Sequence, residues 1–118
     1  MNEQLLDEVW RRGIPVEGCD PAKIRKDCCG AFLLRSAYGN RYSDFGWEVD
    51  HILPQSRGGD DNLRNLRPMQ WRNNLSKGDS YPDYESVVTS SDNSNVDSLV
   101  IRSVNAEIQK ELSALYGL

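Results

Sequence analysis

Leu5, Leu6, Val9 and Trp10 fall on one side of a 3.6-residue period, so residues 2–12 are expected to form a short amphipathic helix ended by Gly13, Pro15 and Gly18. Asp20-Pro21 has the form of a cap followed by a first-turn proline and predicts a second short helix through Lys26, broken at Cys29-Gly30. Residues 31–34 predict a strand, and Tyr38-Gly39-Asn40-Arg41 a turn. A strand-like run over 47–53 is closed by Pro54, and a polar loop over 55–62 follows. A short second strand is expected near 66–68 and a helix over 69–76, which Lys77-Gly78-Asp79 stops. Residues 86–98 are rich in Ser, Asn and Asp and predict a flexible linker. Val100, Val104, Ile108, Leu112 and Leu115 then make one apolar stripe and predict a helix over 96–116. Such a stripe packs on its own domain, or meets a second copy or a partner helix.

A chain of 118 residues has the length of one domain, and 38% apolar residues with three Trp, five Tyr and two Phe can build one modest core. Mean hydropathy is -0.64, and no apolar run approaches the roughly 20 residues a membrane span needs. The first residues lack the basic start and apolar stretch of a secretory signal, so a cytoplasmic location is the expectation. The net charge of -4 argues against a nucleic-acid partner only when averaged over the chain. Residues 11–82 carry 12 bases and 9 acids, while the acidic excess sits in the flanks. Cys19, Cys28 and Cys29 form no C-x-x-C pair with which a zinc site could begin, and read as reduced thiols.

The chemistry-bearing set is Asp50-His51 at the end of a strand, Asn65 fourteen residues after His51, and Asn74 nine further on, within a helix. Phosphodiester hydrolysis needs a base to activate water and a cation to offset charge on the phosphate and leaving oxygen. A neutral imidazole suits the first task, and a carboxylate with an amide oxygen suits a hard cation. Asp50 and His51 point to opposite faces of a regular strand, so a fray or bulge is expected to re-aim one of them.

At these residues the sequence resembles the HNH endonuclease family. The resemblance is carried by Trp-Glu-Val-Asp-His-Ile-Leu-Pro at 47–54, Arg-Gly-Gly-Asp at 57–60, Asn-Leu-Arg-Pro at 65–68 and Trp-Arg-Asn-Asn-Leu-Ser-Lys-Gly-Asp at 71–79. Tyr38-Gly39, Ser43, Gly46-Trp47-Glu48, and upstream Arg25-Lys26-Asp27 and Cys29-Gly30, resemble a subgroup of small bacterial members. The resemblance covers about 25–80.

It implies an α+β fold with a ββα-metal (His-Me finger) core, flanked by N-terminal helices and a C-terminal helix. The division expected is a nuclease domain over 1–84 with its core at 25–80, a linker over 85–97 and a C-terminal helix over 98–118. By resemblance His51 is the general base, Asp50 and Asn74 are metal ligands, and Asn65 holds the loop and orients the histidine. Asn73 is the alternative to Asn74, and Glu48 is expected to pair with an arginine. Asn at the third motif position, where many members have His, favours Mg²⁺ or Mn²⁺ over Zn²⁺. Family zinc-binding Cys pairs are absent, so packing, with Trp47 and Trp71, is expected to brace the fold.

Arg57, Arg64, Arg67, Arg72 and Lys77 are candidates for phosphate contact, with DNA the expected partner ahead of RNA. No helix-turn-helix or zinc finger is present for base reading. The alternative reading is an HNH-like fold that binds nucleic acid without turnover, and the C-terminal helix leaves open a homodimer or a protein partner.

Overall fold

The computed structural model describes residues 1–118. Helix α1, Glu3–Trp10, starts where the Asn2 side chain accepts the Leu5 N–H at 2.8 Å, satisfying one of the orphan donors of its first turn. Its apolar side buries Leu6, Val9 and Trp10.

Three very short strands follow as an antiparallel sheet in the order β1 (Ile14–Pro15), β2 (Ile24–Lys26) and β3 (Phe32–Leu34). Residues 20–26 therefore do not form the expected helix. Asp20 caps only a turn, accepting the Ala22 N–H at 2.9 Å, and Ile24–Lys26 then pair with Phe32–Leu34. A cap and a proline start a helix, but one turn is too short to persist against a sheet partner.

The centre of the molecule is an antiparallel pair, β4 (Trp47–His51) and β5 (Leu66–Gln70), followed directly by helix α2 (Trp71–Lys77). Gln70 turns strand into helix, its side-chain oxygen accepting the Arg72 and Asn73 N–H groups at 2.7 and 3.2 Å. Trp47 and Leu66 lie on one face of the pair and pack with Leu6, Val9, Trp10 and Leu33. The Trp10 and Trp47 rings sit 5.2 Å apart, and the Trp47 indole N–H donates to the Leu34 carbonyl. Trp47 thus braces this core, while Trp71 donates its indole N–H to Ser43 O. The other face carries Glu48, Asp50, Arg67 and Met69, and α2 packs across it.

Residues 86–98 are not a linker. They belong to a long antiparallel hairpin of β6 (Asp83–Ser91) and β7 (Ser94–Ser103). Tyr84, Ser86 and Val88 alternate inward, and Asp92 takes a positive φ of 52° at the turn, a conformation Asp tolerates better than most residues. The C-terminal helix is correspondingly shorter than expected. Helix α3 is Ala106–Tyr116, begun by the Asn105 side chain accepting the Ile108 N–H. The apolar stripe thus crosses two elements: Val100 belongs to β7, whereas Val104 and Leu112 are buried with Cys29, Ile52, Leu53, Met69 and Tyr84. Ile108 and Leu115, partly buried, pack on the same core, so the helical part of the stripe faces the chain's own interior.

Two buried polar residues knit these layers together. Asp27 accepts the N–H groups of Cys29, Ala31 and Gln70 and the Asn73 amide, all at 2.9–3.1 Å. Burial pushes its carboxyl above the usual range, against the pull of those four donors. Asn73, fully buried, donates onward to Val88 O and accepts from the N–H groups of Val87 and Val88. The molecule is mixed α and β, with three α-helices and three small sheets, and no helix is long and apolar enough to cross a membrane.

Candidate functional site

Strand β4 stays regular through its last residue: Asp50 pairs with Arg67 and His51 with Leu66, without a register shift. No bulge re-aims either side chain, so Asp50 and His51 diverge to opposite faces. This difference from the sequence expectation decides what each can reach.

Asp50 faces inward and is 3% exposed. Its Oδ2 lies 2.9 Å from Arg67 Nε, and its Oδ1 lies 3.1 Å from Lys77 Nζ. Lys77 also donates to the carbonyls of His51 and Ile52, tying the end of α2 to the end of β4. Burial pulls the Lys77 ammonium below its usual pKa, opposed by the attraction of Asp50. Arg67 and Lys77, expected at a nucleic-acid surface, are instead interior groups, with side chains 9% and 0% exposed. Sequence reading missed this because cations with long stems default to solvent, and only the cross-strand register with Asp50 brings Arg67 inside.

His51 reaches the margin of an open cleft of about 540 Å³, which Glu48 from the Asp50 face also reaches, together with Tyr38, Arg41, Asp61 and Asn74. Its Nε2 sits 2.8 Å from Asp61 Oδ1. Glu48 receives two bonds from Arg41, at 2.7 and 3.1 Å, and the Asn74 amide N–H at 3.1 Å. Arg41 thereby holds the Glu48 carboxyl below the usual carboxylate range, against partial burial. Glu48 is paired with an arginine as expected. The structure brings His51 and Asn74 into one cleft, and leaves Asp50 beneath it.

Asn65 is fully buried and closes the loop between the strands. Its side-chain oxygen accepts the Leu53 N–H at 2.7 Å, and its amide donates to the carbonyls of Leu53 and Asp60 at 3.0 and 3.2 Å. Gly59 passes so close that a Cβ would overlap the Leu53 carbonyl and crowd the Asn65 amide. Of the two neighbouring asparagines, Asn73 has every polar atom committed inside the fold, while Asn74 stands in the cleft with no partner on its side-chain oxygen. Arg57, Arg64 and Arg72 remain near the surface, bonded to Tyr81 O, Glu111 and Asp97 respectively.

The sequence reading did not single out Arg41, Asp61 or Tyr116. The Tyr116 hydroxyl donates to Asp60 Oδ1 at 2.5 Å and accepts the Asp60 N–H at 3.3 Å, so the end of α3 grips the loop that carries Asp61. These contacts join residues 56 apart, and no local pattern announces them.

No group of three His, Cys, Asp or Glu side chains gathers to hold a metal anywhere in the chain. A hard cation that takes one or two protein oxygens and keeps its waters does not require such a group.

Residues 42–83 match the family model of the HNH endonuclease, a span that runs from ahead of β4 to the start of β6 and contains His51, Asn65 and Asn74. That match points to nuclease-type function. No curated protein matches the chain, and no solved structure does.

Proposed function

We propose that the chain is a divalent-cation-dependent endonuclease that hydrolyses DNA phosphodiester bonds, with His51 as general base. The observation that carries the reading is the cleft itself, which gathers the sole histidine, the Glu48 carboxylate, the open Asn74 oxygen and the Arg41 guanidinium. His51 takes a proton from water as that water adds to phosphorus, the bond to the 3′ oxygen breaks, and solvent returns a proton to the leaving oxygen. Arg41 at the cleft, with Arg57, Arg64 and Arg72 farther out, supplies positive charge for the phosphate backbone.

The donor chemistry suits Mg²⁺ or Mn²⁺. Asn74 and Glu48 present oxygens to the cleft, and Asp50 would join them only by giving up Lys77. When bound, such a cation offsets charge on the phosphate and leaving oxygen. Asn65 serves by holding the loop behind His51 rather than by touching substrate.

The test is supercoiled-plasmid cleavage by purified protein with Mg²⁺, Mn²⁺, Zn²⁺ or EDTA, beside His51→Ala. Cleavage with Mg²⁺ or Mn²⁺ that is lost in the variant and in EDTA is expected, and undiminished cleavage by His51→Ala would overturn the assignment. One observation favours a second reading, a nucleic-acid-binding module without turnover: Asp50 is already neutralised by two cations. DNA binding that persists in EDTA, with no product under either metal, would select it.

A further inference from the structure

We propose that Asp61 is the positioning residue of His51, fixing the imidazole as the tautomer with its proton on Nε2 and its lone pair on Nδ1. The functional half of this inference rests on His51 being the base; the structural half does not. Asp61 Oδ1 lies 2.8 Å from His51 Nε2, and no other hydrogen-bond partner of the ring is present. An ionised carboxylate only accepts, so the neutral imidazole must put its N–H on Nε2, which leaves Nδ1 as the acceptor. A histidine whose second nitrogen is held by a carboxylate is fixed in both tautomer and ring orientation.

Asp61 is 62% exposed, and an unaided carboxylate there would sample many positions at little cost. Its loop is held at three points. Asn65 binds the Asp60 carbonyl, Asp60 Oδ1 accepts the Asn62 N–H at 3.1 Å, and Tyr116 bonds Asp60 on both its N–H and its carboxylate. The backbone on either side of Asp61 is therefore fixed before its side chain meets the ring. Helix α3, remote in sequence, thus acts on the base through Tyr116, Asp60 and Asp61.

Because the chain has one histidine, nitrogen-15 NMR of the imidazole reads this arrangement without ambiguity. The spectrum is taken well above the ordinary imidazole pKa of about 6.5. The wild-type protein is expected to give the pattern of a single Nε2–H tautomer, and Asp61→Ala the averaged pattern of a mixed ring. Asp61→Asn, whose side-chain oxygen still accepts, is expected to restore most of the wild-type pattern. Tyr116→Phe is expected to fall between wild type and Asp61→Ala. An unchanged pattern in Asp61→Ala, in protein whose amide spectrum remains native, would overturn the proposal whatever the protein cleaves. On plasmid DNA, Asp61→Ala is expected to lower kcat by about 10- to 100-fold with KM little changed. A tautomer shift without loss of cleavage would uphold the positioning of the ring and overturn its contribution to cleavage, leaving the base itself to the His51→Ala test.

Discussion

Lys77 and Asp50 are bonded at 3.1 Å inside the molecule, at the point where α2 crosses the end of β4. With Arg67 on the other carboxylate oxygen, the residue that the motif marks as a metal ligand is also the only anion bonded to two buried cations. Asp50→Ala removes the shared partner and leaves both cations buried, which should destabilise the fold by about 3–5 kcal/mol. Urea denaturation should show the midpoint falling. Lys77→Met, which leaves Asp50 on Arg67, should cost clearly less. A loss of cleavage in Asp50→Ala carries catalytic meaning only if the protein assayed is folded.

Asn73 and Asn74 should separate cleanly on substitution. Asn73→Ala strips partners from the Val87 and Val88 N–H groups and from Asp27, so a loss of at least about 2 kcal/mol is expected. Asn74→Ala, at the cleft margin, should change stability by less than about 1 kcal/mol while reducing nuclease activity. Thermal melts beside plasmid cleavage would check both, and equal melting losses would contradict the division of roles.

Gly59→Ala should destabilise by about 1–3 kcal/mol, because the added methyl meets the Leu53 carbonyl backbone and the Asn65 amide rather than a yielding side chain. The neighbouring Gly58 has open space for a Cβ, but its φ of +102° makes alanine strained there too. A melting temperature for Gly59→Ala equal to that of wild type would contradict the close approach.

The Tyr116 hydroxyl holds the Asp60 carboxyl below the usual carboxylate range, helped by the Asn62 N–H. A carboxylate whose folded pKa is depressed stabilises the fold fully above its unfolded value of about 3.9, and that stabilisation is lost as pH falls through the lower folded value. The hold of α3 on the loop should therefore persist through mild acid. In Tyr116→Phe the Asp60 titration, followed by carboxyl carbon-13 NMR, should move up toward the ordinary carboxylate value.

The elements that local pattern predicts are those whose apolar period and boundary signals agree. Helix α1 has its stripe and its Asn2 cap, and β4, β5 and α2 follow in the expected order, with Pro54 beyond the first strand and Lys77-Gly78 ending the helix. The hairpin of β6 and β7 escaped because residues 90–95 around its turn are all Ser, Asn or Asp, and only Tyr84, Ser86 and Val88 of β6 are buried. The stripe from Val100 to Leu115 misled because two of its intervals, Val100 to Val104 and Val104 to Ile108, match a helix by coincidence, while Asn105 caps the true start. His51 and Asn74, which the motif resemblance singled out, do share the cleft. Asp61, Arg41 and the burial of Arg67 and Lys77 were not legible in the sequence, since each depends on cross-strand register or on a loop shape set from far along the chain.

The bonds from Asn73 to Val87 and Val88 bear on how small a working fragment can be made. A fragment ending at residue 84 would keep every motif residue yet strip α2 of the backbone groups that Asn73 satisfies, and Ile52, Leu53 and Met69 of the cover given by Val104 and Leu112. The last third of the chain is thus no detachable tail. Folding and the shape of the cleft should be won or lost together with it, and protein engineers seeking a minimal scaffold would have to carry it along.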